Sequence, residues 1–99
     1  MTIFETLQST GFPCAYSHFK TAQSPPYIVY IGNGQDVFEA DNTHYWRQNT
    51  YQAEYYFTTK NETNEASIEE ALLGAGYLYE KSEDVYIEDQ GVFVIYYYI

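Results

Sequence analysis

The stretch Val92–Ile99, VFVIYYYI, contains no proline and no charged side chain. Its β-branched and aromatic residues suit a pleated strand. At an open sheet edge such a strand would be an aggregation site, because nothing in it stops a foreign strand from pairing. It therefore has to lie inside a sheet or beneath a neighbouring subunit, and either way its role is structural. A second strand is legible at Tyr51–Phe57. There Tyr51, Ala53, Tyr55 and Phe57 alternate with Gln52, Glu54 and Tyr56, the period of two of a strand with one dry and one wetter face. This segment is the expected scaffold strand.

The other elements follow from capping and punctuation. Thr2-Ile3-Phe4-Glu5 has the spacing of a capping box, with Thr2 accepting from the Glu5 amide and the Glu5 carboxylate reaching back. Ile3, Phe4 and Leu7 then mark a short helix, with Gly11 as its left-handed stop. Ala15–Phe19 reads as a short edge strand. Pro25-Pro26 forces an extended approach to Tyr27–Ile31, which is apolar on both faces and belongs in the sheet interior. Gly32-Asn33-Gly34 reads as a tight turn. Val37–Ala40 and Thr43–Arg47 continue as strand, interrupted at Asp41-Asn42. Asn64 is the expected cap of a second helix, with Glu65 in its first turn. Ile68, Ala71, Leu72 and Ala75 form its apolar stripe, Glu65, Glu69 and Glu70 point elsewhere, and Gly74 and Gly76 end it. Leu78–Lys81 and Val85–Glu88 are short extended pieces around Ser82-Glu83-Asp84, and Asp89-Gln90-Gly91 turns into the last strand. The expected fold is α+β: one domain over residues 1–99, with a mixed or largely antiparallel sheet flanked by two helices.

Charge excludes several function classes. The chain has 99 residues and a net charge of −10, which argues against direct binding of nucleic-acid backbones or anionic lipid. The acids are unevenly placed. From Glu62 to Asp89 nine acids face Lys81 alone. The 13 tyrosines are too many for the centre of so small a domain, so several belong at the core margin or in contacts with other chains. No run is long and apolar enough for a membrane span and no leader pattern is present, which points to a soluble protein made in a cytoplasm.

Catalytic and metal chemistry finds no constellation. Cys14 and His18 on one strand would stand about 13 Å apart at roughly 3.3 Å per residue, too far for a nucleophile and its base, and Cys14 reads as a small core residue. His44 beside Asp41 lacks the three or four ligands of a metal site. The clustered acids lack the spacing of a calcium loop. Gly32-Asn33-Gly34 is followed by neither Lys-Ser/Thr nor a helix start, so it is no phosphate cradle. No enzyme activity, metal or cofactor is expected.

Several short stretches, taken in order, carry a family resemblance: Ile3-Phe4-Glu5-Thr6-Leu7, Gly11-Phe12-Pro13, Ala15-Tyr16, Pro25-Pro26-Tyr27-Ile28-Val29-Tyr30, Ala40-Asp41-Asn42, Asn49-Thr50-Tyr51-Gln52 with Glu54-Tyr55, and Tyr79-Glu80-Lys81-Ser82-Glu83. On these the chain resembles the small tail-terminator or head–tail joining proteins of long-tailed bacteriophages and prophages of Gram-positive bacteria. It departs from them in lacking a common Asp-Pro at a helix start and in the Gly74-Ala75-Gly76 helix end. The resemblance implies a virion protein, made in the bacterial cytoplasm, that assembles with itself as a ring, often of six subunits. Such a ring caps the tail tube, meets the head connector proteins and has no enzyme activity. A ring needs contacts between unlike surfaces that close on themselves. Exposed-aromatic logic places these contacts at Asp41, Asn42, Tyr45, Trp46 and Arg47, although Trp46 reads equally as a core anchor. DNA must pass such a ring without sticking, so Glu62, Glu65, Glu69, Glu70, Glu83 and Asp84 are expected to line the channel. Two other readings stay open: an acidic DNA-mimic inhibitor, and a head-completion or connector adaptor.

Overall fold

The computed structural model describes residues 2–40 and 44–99, and for 36–40 and 44–48 it describes the backbone. Two helices, α1 (Ile3–Gln8) and α2 (Glu62–Gly74), accompany six strands: β1 (Cys14–Tyr16), β2 (Tyr27–Ala40), β3 (His44–Phe57), β4 (Glu80–Lys81), β5 (Val85–Ile87) and β6 (Val92–Tyr98). The sheet order is β1-β2-β3-β6-β4, with β5 also paired to β6. Among the described residues only the β1–β2 pair is parallel. The fold is thus the expected α+β domain with a mixed sheet and two helices.

The uncharged strand β6 lies inside the sheet. On one side it runs antiparallel to β3, from Gln52↔Tyr98 to Phe57↔Phe93. On the other side β4 pairs with its end and β5 with its start. Ser82 bridges the gap between them: its amide donates to the Tyr96 carbonyl at 2.8 Å, and its hydroxyl accepts from the Tyr96 amide at 2.8 Å. A side chain thereby completes a ladder that the backbone interrupts.

Both helices cover one face. Ile3 and Leu7 of α1 and Ile68 and Leu72 of α2 are buried against Ile28, Ala53, Tyr55, Phe57, Ile95 and Tyr97. The alternation along β3 comes out as read, with Ala53, Tyr55 and Phe57 at 1–2% exposure and the residues between them half-buried. The α1 capping box is present, with Glu5 N donating to Thr2 Oγ1 at 3.1 Å and Thr2 N to Glu5 Oε1 at 3.0 Å. Its helix ends at Gln8, and Gly11 follows with φ +88°.

Three expectations change. The cap of α2 is Asn61, whose side chain accepts from the Asn64 amide at 3.1 Å; the helix begins earlier because Asn61 has the extended backbone that a cap requires. Glu65 does not point away but is buried beside Ile68 and Leu72, three and seven residues on along the same helix face. Gly32-Asn33-Gly34 is no hairpin turn. Gly32 pairs with Tyr51 and Gln35 with Asn49, so β2 advances three residues while β3 advances two. The extra residue is a bulge, and Gly34 supplies its positive φ of +91°. The strands stay paired beyond it as far as Ala40↔His44. The expected break at Asp41-Asn42 lies outside the described residues.

Two neighbouring residues at the end of α2 separate packing from propensity. Leu72 is fully buried whereas Leu73 is 53% exposed. Leu72→Ala is expected to cost about 2–5 kcal/mol and Leu73→Ala less than about 0.5 kcal/mol in urea unfolding followed by circular dichroism. Equal losses would place the core elsewhere.

Candidate assembly surface

The β2–β3 hairpin outruns everything that supports it. β1 pairs with β2 only at Ile28–Tyr30. β6 reaches β3 only from Gln52 to Phe57, with Ile99 adding one backbone pair to Tyr51. Past this point six pairs, Gln35↔Asn49 to Ala40↔His44, form a two-stranded arm about 20 Å long at roughly 3.4 Å per residue. The chain accordingly measures 51 × 25 × 25 Å. The arm's base is tied down. The Tyr16 hydroxyl accepts from Gly32 N at 3.2 Å, Thr50 Oγ1 donates to the Asn33 carbonyl at 2.7 Å, and Gln35 Nε2 donates to Asn49 Oδ1 at 2.9 Å. Tyr45, Trp46 and Arg47 lie on this arm, opposite Glu39, Phe38 and Val37. Asp41 and Asn42, expected in the same contact, are outside the described residues.

The body's own edges are blunted. β1 is three residues long and ends at Tyr16, followed by Ser17 with φ +65°. β4 and β5 are two and three residues long; Glu80 lies in β4, and Glu83, Asp84 and Glu88 flank the two strands. Short strands and edge charges discourage foreign pairing. The arm differs in length: it is paired only to itself among the described residues, and charged residues Asp36, Glu39 and Arg47 stand along it.

The six acids assigned to a channel separate into two groups. Glu62, Glu70 and Glu83 are exposed. Glu65 is not: it is 2% exposed and sits under two lysines. Lys81 Nζ meets its Oε1 at 2.8 Å, and Lys60 Nζ meets Oε2 at 2.7 Å as an ion pair without hydrogen-bond alignment. Lys60 also binds Asp84 at 3.0 Å, and Lys81 binds Glu69 at 2.8 Å. The Glu69 carboxylate further accepts from the Tyr97 hydroxyl at 2.9 Å and the Tyr79 hydroxyl at 3.3 Å. Glu65, Glu69 and Asp84 are therefore part of a clamp that ties α2 to β4 and to the Asp84 turn. Clustering between Glu62 and Asp89 identified the acids, but only the fold could show which of them meets a lysine from a distant segment.

The clamp shifts the acids it holds. Burial alone would push the Glu65 and Glu69 carboxyls up. For Glu65 the two ammonium groups outweigh that, and for Glu69 Lys81 and the Tyr97 hydroxyl do, so both lie below the ordinary carboxylate range. Burial and the adjacent Glu69 push the Tyr97 hydroxyl up, which keeps it a donor.

The face away from the helices is different in kind. Val29, Val92 and Val94 are buried there, partly under the 17–23 loop, whose Phe19 packs edge-on against Tyr27 at 5.4 Å. Tyr27 stacks on Tyr56 at 5.0 Å, and Tyr96 on Tyr98 at 6.3 Å. Glu54 sits among these rings, paired across the strands with Val29 and Tyr96. Its carboxylate accepts from the Tyr56 hydroxyl at 2.5 Å and from Gln52 Nε2 at 3.0 Å. Burial, then the bond to Glu54, pushes the Tyr56 hydroxyl up. The end of this face nearest the arm is open, with Ile31 39% and Tyr98 41% exposed. Sequence reading assigned no function to Glu54; its place on the wetter side of the scaffold strand was the available signal.

Burial pushes the Cys14 thiol up to about 11, so it stays protonated and unreactive. His18 is exposed and contacts the neighbouring Ser17 hydroxyl at 3.3 Å. Among the described residues no group of three or more His, Cys, Asp or Glu side chains could hold a metal ion, and no helix is long and apolar enough to cross a membrane. No protein-family model, curated protein or solved structure matches the chain.

Because the folded clamp lowers the Glu65 and Glu69 pKa values, its stabilisation is present above their unfolded values near ~4.3. It is lost as pH falls through the lower folded values. Urea unfolding between pH 7 and pH 3 should show this loss in the wild-type chain. Lys81→Met should cost about 2 kcal/mol at pH 7, less than a fully buried pair because Lys60 remains and Lys81 is partly solvated. It should also flatten the acid limb. An unchanged acid limb would show that the lysines do not hold these carboxylates.

Proposed function

We propose that this chain is a virion assembly protein, a ring-forming subunit that caps a phage tail tube and joins it to the head connector. The order of short motifs that resembles tail-terminator and head–tail joining proteins suggests the role. The observation that carries the reading is the arm. A two-stranded ribbon is marginal in water by itself, and six unsupported pairs projecting from a body with blunted edges make sense if a neighbouring chain completes them. In that role the chain has no catalytic task, and its partners are copies of itself, the tail tube protein and the head connector proteins.

The exposed acids Glu62, Glu70 and Glu83 supply the carboxylates that would repel DNA in the ring's channel. Glu65, Glu69 and Asp84 serve the α2 clamp instead. The dispersal of the acids also favours this role over a DNA mimic, which presents carboxylates along one continuous face. Here three of the six are held against lysines.

Light scattering with and without purified tail tubes tests the proposal. The chain should bind tube ends as a closed ring and stop further polymerisation, and a variant with residues 36–47 replaced by a short turn should lose this while keeping its circular dichroism spectrum. A wild-type chain that never engages tube ends would rule the role out. Triple replacement of Glu62, Glu70 and Glu83 by lysine should leave ring formation intact and slow DNA ejection; unchanged ejection would remove these acids from the channel.

A further inference from the structure

The bulge at the arm's base holds the chain's one Asn-Gly pair. Of Asn33, Asn42, Asn49, Asn61 and Asn64, only Asn33 precedes a glycine. An asparagine loses ammonia when the next backbone nitrogen attacks its side-chain carbonyl carbon, and a glycine there leaves that nitrogen uncrowded. A Cβ at Gly34 would meet nothing within 4 Å, and Asn33 is exposed. The two residues stand together opposite Thr50, between the pairs Gly32↔Tyr51 and Gln35↔Asn49, where a bulge interrupts the regular ladder.

Other asparagine side chains are held in place. Asn49 Oδ1 accepts from Gln35 Nε2, Asn61 Oδ1 accepts from the Asn64 amide, and Asn64 Nδ2 donates to the Tyr55 hydroxyl at 3.4 Å. The contact at Asn33 is of another kind. Thr50 Oγ1 donates at 2.7 Å to its backbone carbonyl, which belongs to the same peptide unit as the Gly34 nitrogen. Removing the proton from that nitrogen drives negative charge onto this carbonyl oxygen. A donor already aimed at the oxygen stabilises the charge as it develops, as an oxyanion hole does.

We propose that Asn33-Gly34 is a self-modification site, at which Thr50 promotes conversion of Asn33 to aspartate and isoaspartate. The Gly34 nitrogen gives up its proton to solvent and bonds to the Asn33 side-chain carbonyl carbon. The bond from that carbon to the side-chain nitrogen breaks, and ammonia leaves with a proton taken from water. The five-membered imide then takes up one water. Opening at the former side-chain carbonyl gives aspartate; opening at the backbone carbonyl gives isoaspartate, whose main chain runs through the former side chain. Both products carry a new carboxylate, and isoaspartate adds one carbon, about 1.5 Å, to the main chain. That increment falls where the arm leaves the body, so it displaces the arm and spares the helix-covered core. The site stands apart from the ring reading and needs no tail component.

The test is incubation of the purified full chain in mildly alkaline buffer. Mass spectrometry with electron-transfer fragmentation locates each converted asparagine and distinguishes the two products. Asn33 should convert ahead of the other asparagines. Thr50→Val should slow it by roughly threefold or more in the folded chain, the effect of losing one hydrogen bond to a developing charge, and should leave the rate in concentrated urea unchanged. Thr50→Ser keeps the hydroxyl and should keep the wild-type rate; Thr50→Ala replaces Thr50→Val if that variant does not fold. In the isoaspartyl form, separated by anion exchange, amide resonances should move along 35–40 and 44–49 and hold still in α1 and α2. An Asn33 that stays intact while other asparagines convert, or equal folded-state rates with and without the hydroxyl, would overturn the site. Resonance changes spread evenly over arm and helices would overturn the displacement.

Discussion

An eight-residue stretch with no charge and no proline has to be enclosed on every side, and most of this molecule is arranged around that need. β6 takes β3 on one edge and an interrupted partner on the other, where β4, the Ser82 hydroxyl and β5 share the pairing. The helices seal Ile95 and Tyr97 on one face, and Val92 and Val94 are buried on the other. The division of its outer edge into two short strands is itself protective, since neither piece offers a long ladder to a foreign chain.

The second organising constraint is the cost of burying Glu65. A carboxylate at 2% exposure is tolerable only with its charge matched, and the match comes from lysines on both sides of α2 in sequence. Helix, β4 and the Asp84 turn are therefore held by one set of contacts, which engages two of the chain's four Lys and Arg residues.

Features set by local chemistry were legible in the sequence. The Thr2–Glu5 capping box and the alternation from Tyr51 to Phe57 follow from spacing and side-chain type, and the structure has both. For Val92–Ile99 side-chain type left two placements, inside a sheet or beneath a neighbouring subunit, and the structure has the first. What local chemistry left undetermined was decided at a distance. Asn61 and Asn64 are both acceptable caps, and the choice depends on where the strand before them ends. Gly32-Asn33-Gly34 suits a turn or a bulge equally, because a positive φ serves both; only the length of strand that stays paired beyond it distinguishes them. Glu65 looked solvated because its lysines come from other segments. Within the candidate surface, the sequence marked Tyr45, Trp46 and Arg47 as a contact segment, but that they lie on a projecting arm became visible only in the strand register.

The bulge at the arm's base separates two kinds of inheritance. A bulge bends and twists its strand, so the arm's direction relative to the body is fixed by a residue count and by one backbone angle at Gly34, not by side chains of the core. Core and arm can therefore diverge independently. Substitutions in the helix-covered layer alter how firmly the body holds, while insertion or loss of a residue between Gly32 and Gln35 re-aims the whole ribbon. In any closed assembly built through that ribbon, the angle between successive subunits sets their number, so the size of the opening would be adjustable by single-residue steps at a place that contributes nothing to the core.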